Sequence, residues 1–355
     1  MRRLIALLCS VFALIIVSAC STNAPVPEGK IAFLLPEKAN TRYETQDLPH
    51  FKNRLASQGF NVEQNLIYAN AEQDAALQAT QAREALDAGA KILVLDPVDS
   101  EASAEIADLA KERNVPVIAY DRMINNSTGV SYYISFDNEK IGEIQGETLL
   151  KALSGKTNPT IIMIHGSPSD NNARFYKLGA HKLLEGRTVI VQEHDIVDWN
   201  PQTAHQRMTE ALIAVGNNID GVYAANDGTA GGAIAAMKEA GISPLPPVTG
   251  QDAELAAIQR ILLGEQYMTV YKAMKLQAEA AADLSLLLLR NVPLDSNIVN
   301  AKVNNGSGDV PAILLTPVAV TRDNINSTVI KDGFWSVEQI CTPELAAACA
   351  SAGLQ

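Results

Sequence analysis

The sequence predicts an α/β protein built from two doubly wound, parallel-sheet domains, and three observations carry that expectation. Short apolar, β-branched runs alternate along the chain with longer amphipathic segments rich in Ala, Leu and Glu. Near-continuous apolar strands alternating with helices mean parallel sheets covered on both faces. The alternation also restarts: residues 30–135 supply about four strand–helix units and residues 158–252 about four more. Finally, 355 residues with 47% apolar and 19% charged side chains exceed one average domain and suit two sizeable cores.

The amino-terminal segment stands outside that pattern. MRRLIALLCSVFALIIVSAC has basic Arg2 and Arg3, an apolar run, and small residues before Cys20. These are the marks of a secretory signal, residues 1–19, rather than of a spanning helix. Its end, Val17-Ser18-Ala19-Cys20, resembles the lipobox of bacterial lipoproteins. That likeness implies a lipidated Cys20 as first mature residue and a protein held at the membrane outside the cytoplasm. Residues 20–29 then read as a flexible tether, polar and proline-bearing. Losing Arg2 and Arg3 and no acid takes the formal charge from −12 to −14, which argues against a nucleic-acid partner.

The strand candidates follow in order. KIAFLLP, NLIYAN, KILVLDP, VPVIAYD and YYISFD make the first set; TIIMIHG, TVIVQEHD, GVYAAND and PVTGQD make the second, with MTVYK after them. Helical patterns lie between them, near residues 44–58, 72–88, 100–113 and 138–153, then 170–184, 201–215, 229–240 and 253–264. Parallel neighbours require right-handed crossovers. Past Tyr271 a helical segment, KAMKLQAEAAADLSLLLL, leads through NNGSGDVP to a last strand, AILLTPVAV. Such a late return of helix and strand predicts discontinuous domains joined by several crossings. Cys9 leaves with the signal, while Cys341 and Cys349 in ICTPELAAACASAG could close a local disulfide in an oxidising compartment. The five histidines are scattered, no Cys/His spacing reads as a zinc site, and neither metal nor cofactor is expected.

In open α/β sheets ligands bind beyond the carboxyl ends of the strands, and the polar residues fall there. Lys38, Arg42 and Tyr43 follow the first strand; Asp96 and Asp99 follow KILVLDP; Asp121 and Arg122 end VPVIAY. In the second half come Asp170, Asn171 and Asn172, then Trp199, Asn226-Asp227, Gln251-Asp252 and Lys272. Carboxylates, amides and guanidinium groups satisfy hydroxyls that both donate and accept, and an aromatic ring covers the apolar face of a pyranose. Each residue also has a plainer reading. Asp170, Asn171 or Asn172 could cap the next helix, Asn226-Asp227 could be a turn and cap, Trp199 a packing residue and Asp121–Arg122 a surface pair. No GxSxG elbow, phosphate loop or GxGxxG fingerprint appears, so catalysis is not expected. A glycosidase using Asp227 and Asp252 is a remote alternative.

AYDRMIN, YYISFDNEKIGEIQ, GSPSDNNA, NDGTAGGAI, GQDAELAAI, MTVYK and STVIKDGF together resemble the D-xylose-binding periplasmic proteins of ABC importers. These belong to the type I, ribose/arabinose/galactose-type substrate-binding family, and the likeness runs through about residues 30–334. It implies two Rossmann-like domains joined by a three-stranded hinge, closing on one monosaccharide. Residues 30–135 plus 270–304 would form the N-terminal domain and residues 136–269 plus 305–334 the C-terminal one, with 335–355 an extension outside the family pattern. Carried over motif by motif, Arg42, Tyr43, Asp121, Arg122 and Lys272 would hold the sugar from one side. Asn171 or Asn172, Trp199, Asn226 and Asp252 would hold it from the other, with Tyr43 and Trp199 stacking. The stretch LLPEKANTRYE departs from the family, with Thr41 where a Glu and Tyr43 where a Trp is usual. The implied partners are a monosaccharide, D-xylose first, and a permease with its ATPase, for a monomeric protein. A sensor subunit presenting sugar occupancy to a histidine kinase, or a preference for glucose, ribose, arabinose or galactose, is the alternative.

Overall fold

Residues Ile31–Leu35 are buried on both faces, as a central strand between two helical layers requires. They belong to β1 (Lys30–Leu35) of a computed structural model that describes residues 28–38, 40–292 and 298–354. The signal segment and Cys20 lie outside the described residues. β2 (Leu66–Asn70), β3 (Ala90–Leu95), β4 (Val117–Tyr120) and β5 (Val130–Phe136) join β1 in the spatial order β2-β1-β3-β4-β5, all parallel.

The second lobe repeats that order. β6 (Thr160–Ile164) lies between β7 (Val189–His194) and β8 (Gly221–Ala224), again in parallel. Residues 247–250 extend the sheet through Val222 N to Pro247 O at 2.9 Å and Thr249 N to Val222 O at 3.1 Å. β9 (Met268–Tyr271) follows, bonded through Val270 N to Gly250 O at 3.0 Å. Both sheets therefore change direction between their first and third strands, the place where doubly wound folds open a crevice.

Each sheet is covered on both sides. Over the first, Phe33 stacks on Phe51 with centroids 4.3 Å apart and meets Tyr120 edge-on at 5.3 Å. This cluster lies under the helices Leu48–Ser57 and Met274–Leu289. Leu34, Leu93, Val117 and Ala107 fill the opposite face. Full burial of one such Leu or Phe is worth about 1.5–3 kcal/mol, so these two layers fix the lobe. In the second lobe the helices Asn138–Ala152 and Asn171–Leu184 touch backbone to backbone. A Cβ on Gly142 would sit 2.0 Å from Tyr176 O, and one on Gly179 2.0 Å from Glu139 O. Close approach of this kind explains two glycines inside helices, where each costs about 1 kcal/mol against alanine.

The chain crosses between lobes three times. It leaves the first lobe after β5, returns after β9 into the helix Met274–Leu289, and leaves again after β11 (Asp309–Leu315) for β12 (Val318–Thr321), which pairs with β9. Asp137 N donates to Leu315 O at 3.3 Å, tying two crossings together. β11 runs parallel to β5, and β10 (Ala301–Asn304) completes the same sheet as an antiparallel edge. Residues 305–315, expected in the C-terminal domain, thus belong to the N-terminal one. The polar turn NNGSGD hid the hairpin that keeps β10 and β11 together.

The C-terminal extension packs on the second lobe. Ile340, Leu345, Cys349 and Leu354 are buried against Ile258, Ile261 and Tyr271. Cys341 and Cys349 are bonded, with Cα atoms 6.0 Å apart. Among the described residues no helix is long and apolar enough to cross a membrane.

Candidate functional site

The carboxyl ends of both sheets face each other, and the loops there carry the buried charges. Arg42 anchors the first lobe. Its guanidinium forks onto Asp47, with Nε to Oδ2 at 2.9 Å and Nη2 to Oδ1 at 2.7 Å. Asp47 is in turn fixed by the Tyr120 hydroxyl at the end of β4. Arg42 Nη1 then reaches Asp121 Oδ1 at 3.1 Å and approaches Asp252 Oδ1 of the second lobe at 3.8 Å.

Asp121 closes β4 with a φ of 56°, and its neighbours across the cleft, Trp199 and Asp252, have φ of 54° and 94°. Non-glycine residues held there cost about 1–3 kcal/mol each and cluster where side chains must be aimed. The Asp121 carbonyl is taken by Tyr133, Ser135 and Asn172, leaving its carboxylate to the cleft. Burial opposes that charge, but Arg42, Lys272 and Arg122 outweigh it and hold Asp121 well below the usual carboxylate range. Lys272 sits at the β9 crossing, 2.9 Å from Asp252 Oδ1 and 3.6 Å from Asp121 Oδ1.

Arg122 points the other way. Its Nε lies 3.1 Å from Asp170 Oδ2 of the second lobe, and Nη1 donates to Pro97 O at 3.2 Å. The Tyr43 ring stands between the two guanidinium groups, 5.0 Å from that of Arg42 and 6.0 Å from that of Arg122. Behind Arg122, burial pushes Asp96 well above the ordinary carboxylate range; Arg122, 3.7 Å away, offsets this only in part.

In the second lobe Asp170 caps the helix Asn171–Leu184 through Asn172 N at 2.8 Å and accepts Trp199 Nε1 at 3.1 Å. The indole lies against Gly166, where a Cβ would fall 2.0 Å from Cη2. Asn226 caps the helix Asp227–Glu239 with Oδ1, which takes the Thr229 amide at 2.9 Å. Asp252 Oδ2 accepts Asn40 Nδ2 across the cleft at 3.0 Å.

Arg42, Tyr43, Asp121, Arg122, Trp199, Asn226, Asp252 and Lys272 line one small cavity of about 20 Å³ in the cleft. Asn171 and Asn172, expected to line it too, do not. Asn172 Nδ2 is spent on the Asp121 carbonyl at 2.9 Å, with Asn138 on its Oδ1 at 2.7 Å. Asn171 faces a separate groove, its amide on Ser100 Oγ at 3.1 Å. In the first helical turn successive side chains point in different directions, so only the cap, Asp170, faces the cleft.

The cavity also takes Asn40, Tyr176 and Gln251. Tyr176 reads in the sequence as a helix packing residue, and Asn40 as one polar residue among several in EKANTRYE; only Gln251, at a strand end, carried a signal. Gln251 Oε1 is buried and makes no hydrogen bond among the described residues, a loss of about 1–3 kcal/mol unless a ligand donates to it. Carboxylates and an amide oxygen accept here, guanidinium, ammonium and amide groups donate, and three aromatic rings supply flat apolar surface. A small polyhydroxylated molecule uses all of these.

Two doubly wound lobes closing on a polar, aromatic-walled cleft define a bilobal binding protein. Residues 31–291 match the family described as periplasmic binding protein domain, and the chain belongs to that family. It is 38% identical over 325 residues to a D-xylose-binding periplasmic protein of Haemophilus influenzae, covering 90% of this chain and 94% of that one. A protein of the same description from Escherichia coli is 37% identical, covering 88% and 92%. Among solved structures, an ABC transporter solute binding protein of Clostridium phytofermentans with bound β-D-glucose superposes with a TM-score of 0.79. It is 28% identical, covering 87% of this chain and 99% of that one.

Proposed function

We propose that this protein captures a monosaccharide, D-xylose first, between its two lobes and delivers it to an ABC permease driven by its ATPase. The observation that carries the reading is the two-sided cage: Arg42, Asp121 and Lys272 meet Asp252 and Gln251 across the cleft, with Trp199 and Tyr43 as walls. Relatives with the D-xylose description at 37–38% identity support the choice of sugar. The sequence signal and the lipobox-like Cys20 support export and a lipid anchor.

Binding proceeds by closure. In an open state water solvates the charges; closing removes it and strengthens each polar contact to the sugar hydroxyls. The closed shape is then the one a membrane permease recognises. Calorimetry with xylose, glucose, ribose, arabinose and galactose tests this. Xylose is expected to bind near the micromolar range, about −8 kcal/mol, and more tightly than the other four. Absence of heat with all five would end the reading.

A further inference from the structure

Away from the cleft, two histidines and a glutamate converge on the second lobe. His165 directly follows β6, His181 lies on the helix Asn171–Leu184, and Glu193 is on β7. The crossover from β6 through the helix to β7 brings the three together, although they are far apart in sequence. His165 Nε2 lies 3.1 Å and His181 Nε2 3.2 Å from Glu193 Oε1, and the three ligand atoms all fall within 4.8 Å of one another. A tetrahedral ion with bonds of about 2.0–2.1 Å sets its ligand atoms about 3.3 Å apart, close to two of these separations.

The hydrogen bonding points the same way. His165 is only 1% exposed, yet neither ring nitrogen makes a hydrogen bond among the described residues; Nε2 faces the carboxylate out of line for one. A buried imidazole without a partner is costly, and a nitrogen aimed at a shared point is what a metal uses. His181 Nδ1 is paired with Glu185 Oε1 at 2.7 Å. A carboxylate on one ring nitrogen fixes the tautomer and leaves the other as a ligand. Lys177 Nζ, 2.6 Å from Glu193 Oε1, competes for the point, but it also reaches Asp195 at 3.3 Å and can move there. His181 and Glu193 are half-buried, so an ion and a water have access.

We propose that His165, His181 and Glu193 form a binding site for a divalent cation of the zinc class, with Glu185 orienting His181 and water as fourth ligand. Two imidazoles and one carboxylate suit zinc rather than calcium or magnesium, which take oxygen ligands. The ion would clamp β6, the helix and β7 together just before Gly166, the residue that seats Trp199.

Calorimetric titration of the chelator-stripped protein with Zn²⁺ tests the site. One ion per chain is expected. His181→Ala and Glu193→Gln should each weaken it on the order of tenfold or more, and Lys177→Met, which removes the competitor, should tighten it. Retained sugar binding in the same variants shows that they fold. Equal zinc affinity in the wild type and both ligand variants would overturn the proposal, as would no binding by the wild type up to about 1 mM.

Discussion

Arg42, Asp121, Lys272 and Asp252 are all buried and form one alternating chain of charge across the cleft. Asp252 carries that chain into the second lobe, taking Lys272 at 2.9 Å and Asn40 at 3.0 Å. Asp252→Asn keeps the shape and leaves Lys272 with only the more distant Asp121. Sugar affinity is expected to fall on the order of tenfold or more, about 1.4 kcal/mol per factor of ten, read by calorimetry; an unchanged constant would remove Asp252 from the sugar's partners. Gly166 offers a test that leaves every polar group in place. A Cβ there would fall 2.0 Å from the Trp199 indole, so Gly166→Ala must tilt the ring and strain its bond to Asp170. Tryptophan fluorescence should shift and affinity drop as it does in Trp199→Ala. A shift in fluorescence with sugar affinity intact would make Trp199 a packing residue only.

Asp96 directly follows β3, and its carboxyl oxygens are buried without hydrogen bonds among the described residues. Burial raises its pKa well above the ordinary value, with Arg122 offsetting only part. A carboxyl raised in the folded state contributes stability that is fully present below the unfolded value, about 3.9. That contribution is lost as pH rises toward the folded value. Asp96→Asn should therefore flatten the stability profile above about pH 4 and leave the protein more stable than the wild type near pH 7, where the wild type has lost that contribution. If urea unfolding instead shows a loss of about 3–5 kcal/mol at pH 7, Asp96 is ionised and paired with Arg122. The C-terminal extension behaves as an added brace: Trp335 Nε1 donates to Ala253 O at 2.8 Å, next to Asp252. Cys341→Ser with Cys349→Ser should lower stability by about 2–3 kcal/mol in the chain-entropy model, and dithiothreitol should do the same to the wild type. How much of this was legible divides along these lines. Alternating apolar runs gave the strands, because parallel strands are apolar on both faces. Strand ends gave Arg42, Asp121 and Asp252, because the fold puts loops there. Tyr176 stayed hidden because a helix residue facing a cleft has the same period as one facing a core. His165, His181 and Glu193 stayed hidden because a crossover, not a local spacing, brings them together.

The two lobes touch through groups that never line the cavity, and these set how easily the molecule closes. Asn172 Nδ2 bonds the Asp121 carbonyl at 2.9 Å, Ser100 N bonds Ser169 O at 3.0 Å, and Asn171 N bonds Ser100 Oγ at 3.1 Å. Such bonds exist only when the lobes meet, so each favours the closed state by about 0.5–1.5 kcal/mol. A ligand that binds the closed state loses apparent affinity in proportion to any fall in its population. Asn172→Ala removes its bond to the Asp121 carbonyl, and with it those that Tyr133 and Asn138 donate to Asn172 Oδ1, without touching the cavity wall. It should weaken sugar binding by about two- to tenfold, while small-angle scattering of the sugar-free protein shows a larger radius of gyration than the wild type. Saturating sugar should restore the wild-type radius, since the sugar's own contacts then supply what the latch no longer does. If affinity and sugar-free radius both stay at wild-type values, Asn172 is a bystander of closure. If the radius stays large under saturating sugar, the bond is required to close at all, and the sugar alone does not drive the motion.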